Sequence, residues 1–499
     1  MNKWLKLVCL ILAIVCTLGT FVACGDDEEK STSTAGINKE GVDKPNSSGE
    51  TYDDATFTMY SVEDMFPKQY FFADKTTGDG MNDALYQRQR DVEQLLGVKL
   101  IYRPAEASGT TPAYQTYASE VKNAIKAGTE KYQLVLSHAY YAIPDLITSN
   151  SLYDFKEFSS IDYTESYWNK SVMDQLDYKG HYYLGYSDFN LATTYIVAFN
   201  KSLYANNIDA FQGKTMYDFV KNNEWTIQKM ADVATLVYED AGGVDNNTYG
   251  LTAERWVPFC GFIQSSGESL VVKNANSGKY EVTFMEDNNV NRKLGKLVEK
   301  LKEIQTYEEV YFYDHEAINP NTKPLTITSG RVFMHLTSTT ALIALKDSNI
   351  KFGVLPYPMY DEAQARGDEN NPAVGYRSLN WAGYLCVPSN IKDTKMVGDV
   401  IETLSCYSGD VTTFFYEKLL GLKVSEAPED AEMLNIVWDS ICSDFGVTYE
   451  SMDTNSTFDA FVYAVPRIMI GHYASFSALR SASGRAAETV LNKHINGTK

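Results

Sequence analysis

Between Thr56 and Leu136 short apolar segments alternate with amphipathic helices, and this alternation restricts the folds open to the chain more than any other feature. Thr56 to Tyr60 reads as a strand. Asn82 to Leu96 reads as a helix with Leu85, Val92, Leu95 and Leu96 on one face and a stop at Gly97, and Val98 to Tyr102 is a second strand. Tyr114 to Ala127 repeats the helix with Val121, Ala124 and Ile125 before Gly128, and Tyr132 to Leu136 is the third strand. The order βαβαβ builds a doubly wound α/β sheet, whose ligands sit in the crevice beyond the carboxyl ends of the strands. The loops that follow Tyr60 and Leu136 therefore supply the first candidate ligand contacts, Tyr60, Tyr140 and Tyr141.

A chain of 499 residues is too long for one such core, and the length predicts two to four lobes. Tyr182 to Tyr186 and Thr194 to Asn200 read as further strands, and Ile227 to Val237 as a helix. Val332 to Leu336 and Phe352 to Leu355 read as strands flanking a helix at Thr340 to Lys346. From Val397 onward long amphipathic helices give a helical C-terminal portion. The 35 Tyr exceed what a core needs, because each buried phenol requires a hydrogen-bond partner, so some rings are expected to face solvent or a ligand. The 65 acidic residues against 44 basic ones give a net charge of −21, which repels phosphate backbones and excludes nucleic acid as a partner.

The first residues read as an address. Lys3 and Lys6 precede the uncharged stretch Leu7 to Ala23, so residues 1–23 are expected to be an export signal. Phe21-Val22-Ala23-Cys24-Gly25 resembles the lipoprotein signal-peptide box of bacteria, with Phe21 where the pattern prefers Leu; the resemblance implies that Cys24 is diacylated. Two acyl chains give stable anchoring, which places the mature protein on the outer face of the cell membrane. Residues 24–50 are polar, without apolar periodicity, and read as the lipidated Cys plus a flexible tether. No second hydrophobic span follows. Cys260, Cys386, Cys406 and Cys442 read either as buried thiols or as disulfide partners.

Several segments together resemble the family 1 extracellular solute-binding proteins of ABC importers, the maltose-binding-like group. Tyr132-Gln133-Leu134-Val135 with residues 146–155 (LITSNSLYDF) is similar to that group's "DLV … G-x-L-x-D-L" stretch, with Asn150-Ser151 in place of Gly-x. Residues 195–204 (YIVAFNKSLY), Ser329 to Met334 (SGRVFM) and Phe352 to Pro358 (FGVLPYP) are similar to its strand-and-turn motifs, in the same order. Tyr360 to Gln364 further resembles a lipoprotein subgroup from gut Firmicutes. The resemblance implies two doubly wound lobes around a ligand cleft, the type II periplasmic-binding-protein fold. It assigns residues 55–160 plus 325–375 to lobe one and 165–320 plus 385–499 to lobe two. It also implies a monomer that delivers a small solute, most simply a sugar, to ABC permease subunits, with no cofactor and no metal.

A sugar cleft calls for aromatic platforms beside carboxylate, amide and guanidinium groups. Trp256, between a strand and the Ser265-Ser266-Gly267 turn, reads as a stacking platform or as a core ring on Phe259. Trp381 precedes a strand and carries the same two readings. Asp188 is a hydroxyl acceptor or an Asx-turn residue, and Arg377 a solute contact or a surface ion-pair partner. Trp168 is a further candidate, while Trp225 and Trp438 fit core faces, and Ser338 and Thr339 read as helix caps. No G-x-S-x-G, H-E-x-x-H or G-x-x-x-x-G-K-[ST] motif occurs, so catalysis has little support. A surface sensor or adhesin on the same fold, and a carbohydrate-active hydrolase or lyase, stand as the alternatives.

Overall fold

In the computed structural model the described residues are 45–62, 68–108, 111–137, 142–191, 194–285, 288–314, 326–339, 341, 350–367, 373–380, 383–420, 428–450 and 458–497. The strands among them are β1 (Ala55–Ser61), β2 (Val98–Pro104), β3 (Leu134–Ser137), β4 (Tyr195–Asn200), β5 (Tyr249–Glu254), β6 (Val271–Lys273), β7 (Tyr280–Val282), β8 (Val310–Tyr313), β9 (Val332–Ser338), β10 (Phe352–Pro356), β11 (Ser378–Leu379), β12 (Tyr384–Cys386) and β13 (Ile441–Cys442). They form one sheet of order β12-β3-β1-β2, a second of order β10-β4-β9-β5-β8, and the pairs β11-β13 and β6-β7.

In the first sheet β1 lies parallel to both β2 and β3, as the βαβαβ pattern requires. The first crossover helix, Gly80–Leu96, is capped by Asp79, which accepts from the Asn82 N–H, and it ends at Gly97, whose φ of 60° is the left-handed conformation a glycine adopts without strain. Leu85, Val92 and Leu96 are buried on it as expected, but Leu95 is 42% exposed. Arg88 and Gln89 fill the face instead: Arg88 donates to Phe71 O (2.7 Å) and Ser408 Oγ (2.9 Å), and Gln89 donates to Ala73 O (2.9 Å). Periodicity identified the helix, but polar side chains with internal partners rotated its buried stripe.

Strand membership differs from the sequence expectation at two places. β9 and β10, assigned with lobe one, hydrogen-bond to β4 in the second sheet, and β12, whose Leu385 and Cys386 were assigned with lobe two, pairs antiparallel with β3 in the first. The reason is that strand partners are chosen by non-local pairing, whereas the assignment rested on order along the chain. The segment Tyr182 to Tyr186, read as a strand, makes only isolated bridges, among them Gly185 with Leu385. The chain thus passes from the first sheet to the second between β3 and β4 and returns between β10 and β12. Helices Thr394–Cys406 and Gly409–Leu420 then pack on helix Gly80–Leu96, and helix Pro428–Asp439 packs on β10. β11, which lies between β10 and β12 in sequence, runs parallel to β13.

The last residues of the expected tether, residues 24–50, are docked on the protein. Asn46 and Ser48 are docked on helix Thr394–Cys406: Ser48 N donates to Asp399 Oδ1 (3.2 Å), Tyr52 Oη to Asp399 Oδ2 (2.6 Å), and Asn46 N to Glu402 Oε1 (3.4 Å). The same Glu402 accepts from Tyr167 Oη and from Trp168 Nε1 (2.8 Å), which places Trp168, 5% exposed, in a structural network and not on a ligand surface. Composition reads such a segment as coil because its partners lie some 350 residues away in the chain. Residues 1–44, which include the export signal and Cys24, lie outside the described residues. Among the described residues no helix is long and apolar enough to cross a membrane.

Asp177 joins the segment before β4 to the β6-β7 hairpin. It accepts from Lys273 Nζ (2.6 Å), Lys156 Nζ (3.1 Å), Gly180 N (2.8 Å) and Tyr280 Oη (3.1 Å). Burial pushes this carboxyl up, but Lys273, the Gly180 N–H and Lys156 outweigh it and hold the group at about 2, below its ordinary 3.8. A carboxylate depressed on folding stabilises the protein above its unfolded value and loses that contribution as pH falls toward the folded one. The stability difference between the unmodified protein and Asp177→Asn is therefore expected to be constant near neutrality and to shrink between about pH 4 and pH 2. Melting temperatures of the two proteins across that range check it; a difference that stays constant would show that the lysines do not act on Asp177.

Candidate functional site

The second sheet brings one set of strand ends together. β5, β8 and β9 run parallel and finish at Glu254, Tyr313 and Ser338, while β4, antiparallel to β9, begins there with Tyr195 opposite Ser338. Carboxyl ends of parallel strands point unpaired backbone groups and short loops into one crevice, which is where such sheets bind their ligands. The chain leaves β5 by a tight turn, because Pro258 opens the 3-10 turn Val257–Gly261 and Gly261 closes it. A Cβ on Gly261 would stand 2.7 Å from the Tyr195 ring, so only glycine allows this turn to lie against the start of β4.

Trp256 sits at that exit, partly exposed, and stacks on Tyr463 with ring centroids 5.1 Å apart and planes at 20°. Two guanidinium–carboxylate pairs frame the rings. Arg255 donates to Asp314 through Nε (2.8 Å) and Nη2 (2.6 Å), a two-pronged pair that joins the ends of β5 and β8. Arg467 is paired with Asp459 and places its guanidinium carbon 5.9 Å from the Tyr463 ring centroid. Beneath lie buried phenols: Tyr357 donates to Pro258 O (2.8 Å), and its ring is 5.7 Å from that of Tyr195. Burial, then the charge of Glu254, pushes the Tyr313 phenol up, so it stays a neutral donor.

The buried thiols and the His335 imidazole are poorly reactive. Cys260, Cys386, Cys406 and Cys442 are buried and form no disulfide, in line with the buried-thiol reading. Burial raises the thiols of Cys260, Cys386 and Cys442, which keeps them protonated and poorly nucleophilic. His335, which shares a hydrogen bond with Thr252 Oγ1 (2.8 Å), is lowered by burial to about 4 and is neutral. Among the described residues no group of three His, Cys, Asp or Glu is arranged to hold a metal ion.

Of the described residues singled out by sequence, Trp256 lies on this wall and Tyr60, Asp188 and Arg377 do not. Tyr60 does not face a crevice: it is 2% exposed, its ring stacks on Tyr132 at 4.0 Å and its hydroxyl donates to Glu120. β1 is an interior strand of its sheet, so a side chain next to its end is covered by its neighbours. Asp188 is 3% exposed, enclosed in the turn Ser187–Asn190, and its N–H donates to Tyr167 O (2.8 Å). Arg377 is turned to the protein itself, toward Gly267 O (3.3 Å) and Ser269 Oγ (3.4 Å). Trp225, as expected, is core and donates to Pro356 O (2.9 Å). Cys24, Tyr140, Tyr141 and Trp381 lie outside the described residues.

Asp459, Tyr463 and Arg467 were missed because the C-terminal helices read as a cap. The signal was present: the three recur at intervals of four in an otherwise apolar segment, which puts them on one helical face. A polar and aromatic stripe on an apolar helix is the mark of a second use for that face.

Residues 107–404 match the family model described as bacterial extracellular solute-binding protein. No curated protein sequence matches the chain. Among solved structures, an ABC substrate-binding protein of Listeria monocytogenes in complex with cycloalternan is similar at a TM-score of 0.54 and 14% identity, covering 90% of this chain and 100% of that one. The GacH receptor of Streptomyces glaucescens, solved unliganded and with acarbose, is similar at 0.52 and 15% identity over 89% of this chain and 100% of its own. UgpB of Mycobacterium tuberculosis, in complex with glycerophosphocholine, is similar at 0.50 and 14% identity over 89% and 100%. At such identities the likeness is one of fold.

Proposed function

The chain belongs to the bacterial extracellular solute-binding proteins, and from that premise we propose that it captures a neutral, hydroxyl-rich solute, a carbohydrate or oligosaccharide, for an ABC importer. The observation that carries the reading is the Trp256–Tyr463 stack framed by Arg255–Asp314 and Arg467–Asp459 at the strand ends of the second sheet. Aromatic faces take the C–H surfaces of a sugar ring, and fixed carboxylates and guanidiniums take its hydroxyls. Cycloalternan and acarbose, the ligands of two proteins of similar fold, are of this class.

Tyr140, Tyr141 and Trp381 are proposed as further contacts of the solute. The three passages of chain between the halves, and the β11-β13 pair among them, would serve as the hinge. A solute that bridges both halves favours the closed form by its differential affinity. Lipidation at Cys24 would hold the protein on the outer face of the membrane, where the closed form meets the permease. Binding without turnover fits the protonated thiol of Cys260 and the neutral imidazole of His335 within the second sheet.

Thermal shift of the protein against mono- and oligosaccharides, polyols, short peptides and phosphodiesters tests this. A ligand at 100 times its Kd stabilises by about 2.7 kcal/mol, enough for a clear rise in Tm. A rise confined to a class of saccharides is the expected result. A rise with glycerophosphodiesters or peptides alone would keep the importer and discard the carbohydrate.

A further inference from the structure

A groove of about 590 Å3 lies between the β6-β7 hairpin and the end of helix Phe476–Leu491, and none of its lining residues belongs to the Trp256–Tyr463 wall. That volume falls within the range of ligand sites, about 300 to 1,000 Å3. The floor is apolar, with Val282, Val290 and Leu491, and the exposed rim carries Glu281, Glu488 and Lys279. One side of the groove is the outer edge of β7. Within the hairpin Val271 lies opposite Val282 and Lys273 opposite Tyr280, while the residues flanking these pairs are hydrogen-bonded, Asn274 N to Lys279 O (2.8 Å) and Thr283 N to Leu270 O (3.1 Å). Antiparallel pairs alternate between bonded and non-bonded, so the main-chain groups of Tyr280 and Val282 turn away from β6.

The Tyr280 rung of that edge is filled. Asn496, at the end of the π turn Asn492–Asn496, donates from Nδ2 to Tyr280 O (2.8 Å) and its carbonyl accepts from Tyr280 N (2.9 Å), and Asn492 Oδ1 holds the amide in place (2.9 Å). A side-chain amide thus does for Tyr280 what a neighbouring strand does with its backbone. Val282, the next rung on the same edge, lines the open groove. A strand edge with one rung made by an amide and the next open to a groove of this size is a template for a third strand. We propose that the groove docks an extended segment of a partner polypeptide, which pairs with β7 at Val282 and continues the ladder that Asn496 begins. The lining sets the chemistry of that segment. Two carboxylates against one ammonium, on a chain of net charge −21, favour basic side chains, and the floor takes apolar ones, so the segment alternates the two. This docking is separate from the capture of a solute at the Trp256–Tyr463 wall, and neither depends on the other.

The test titrates the full chain with the peptide Ac-Lys-Val-Lys-Val-Lys-NH2 by calorimetry. One peptide per chain, at a Kd below about 1 mM, is the expected result. The same peptide N-methylated at its three central residues keeps the charges and loses the donors of a strand, and it is expected to bind at least about fivefold more weakly. Val282→Pro, which deletes the N–H of the open rung without touching a bond to β6, is expected to weaken the unmethylated peptide by the same factor. Glu488→Lys is a surface change that stands in for the proline variant if that one does not fold, and a loss of about threefold is expected of it. Trp256→Ala is expected to leave the affinity unchanged. The proposal is overturned if no peptide binds at about 1 mM, if the methylated peptide binds as well as its parent, or if neither Val282→Pro nor Glu488→Lys weakens binding. A loss in Trp256→Ala alone would place the peptide at the solute wall and also overturn it, and a dimer in sedimentation that Val282→Pro abolishes would replace the partner polypeptide with a second copy of this chain.

Discussion

Trp256→Ala is expected to weaken binding of the captured saccharide by about 1 to 3 kcal/mol, a loss of roughly 5- to 150-fold, while the melting temperature of the unliganded protein changes little. The indole is partly exposed and stacks on the Tyr463 ring, so its removal opens no core cavity of the kind that makes buried aromatics expensive to lose. What is lost is a flat face at the strand ends. Tyr463→Ala should cost a similar amount, and the double variant less than the sum, because each ring holds the other in place; a coupling of about 0.5 to 1.5 kcal/mol is expected for a stacked pair. Calorimetric titration of the four proteins measures it. A fall in Tm that matches the fall in affinity would return Trp256 to the core, the other reading its sequence allows.

The parts of the molecule that could be read in advance are those fixed by short-range pattern. The first three strands and two helices followed from periodicity and from Gly97, whose position after Leu96 stops the helix. What could not be read is what distant pairing decides. β9 and β10 have the same apolar character whichever sheet they join, and only the register of β4 with both of them settles it. Tyr60 looked like a crevice residue because it ends a strand, but β1 has neighbours on both sides and Glu120 stands ready for its hydroxyl. Trp256 could be found because an aromatic at a strand exit is a local sign. Its partner Tyr463 lies 207 residues on, within a helical stretch whose polar stripe of Asp459 and Arg467 makes sense only once the wall is seen.

The docked N-terminal strap should be worth as much to stability as any single element of the core. Asp399 is fully buried and takes its donors from Ser48 and Tyr52, and Glu402, also fully buried, takes donors from Asn46, Tyr167 and Trp168. A chain that begins after Tyr52 loses those donors and leaves the Asp399 carboxylate to water, and hydrogen bonds to a charged group are worth about 1.5 to 3 kcal/mol each. Such a chain should therefore unfold at a markedly lower urea concentration. In the full chain Glu402→Ala strands two enclosed donors, at about 1 to 3 kcal/mol each. Glu402→Gln should cost far less, because the Tyr167 hydroxyl can turn to accept from the new amide while Trp168 still donates to its oxygen. The pH dependence has a definite sign. Burial raises the Glu402 carboxyl above its ordinary 4.5 in spite of the three donors, so the folded state holds its proton more tightly than the unfolded chain does. Its contribution is then largest below that ordinary value and declines as pH rises through the raised one. The stability of the unmodified protein relative to Glu402→Gln should fall over that interval, and a relative stability that rises there would mean that the donors from Tyr167, Trp168 and Asn46 outweigh burial.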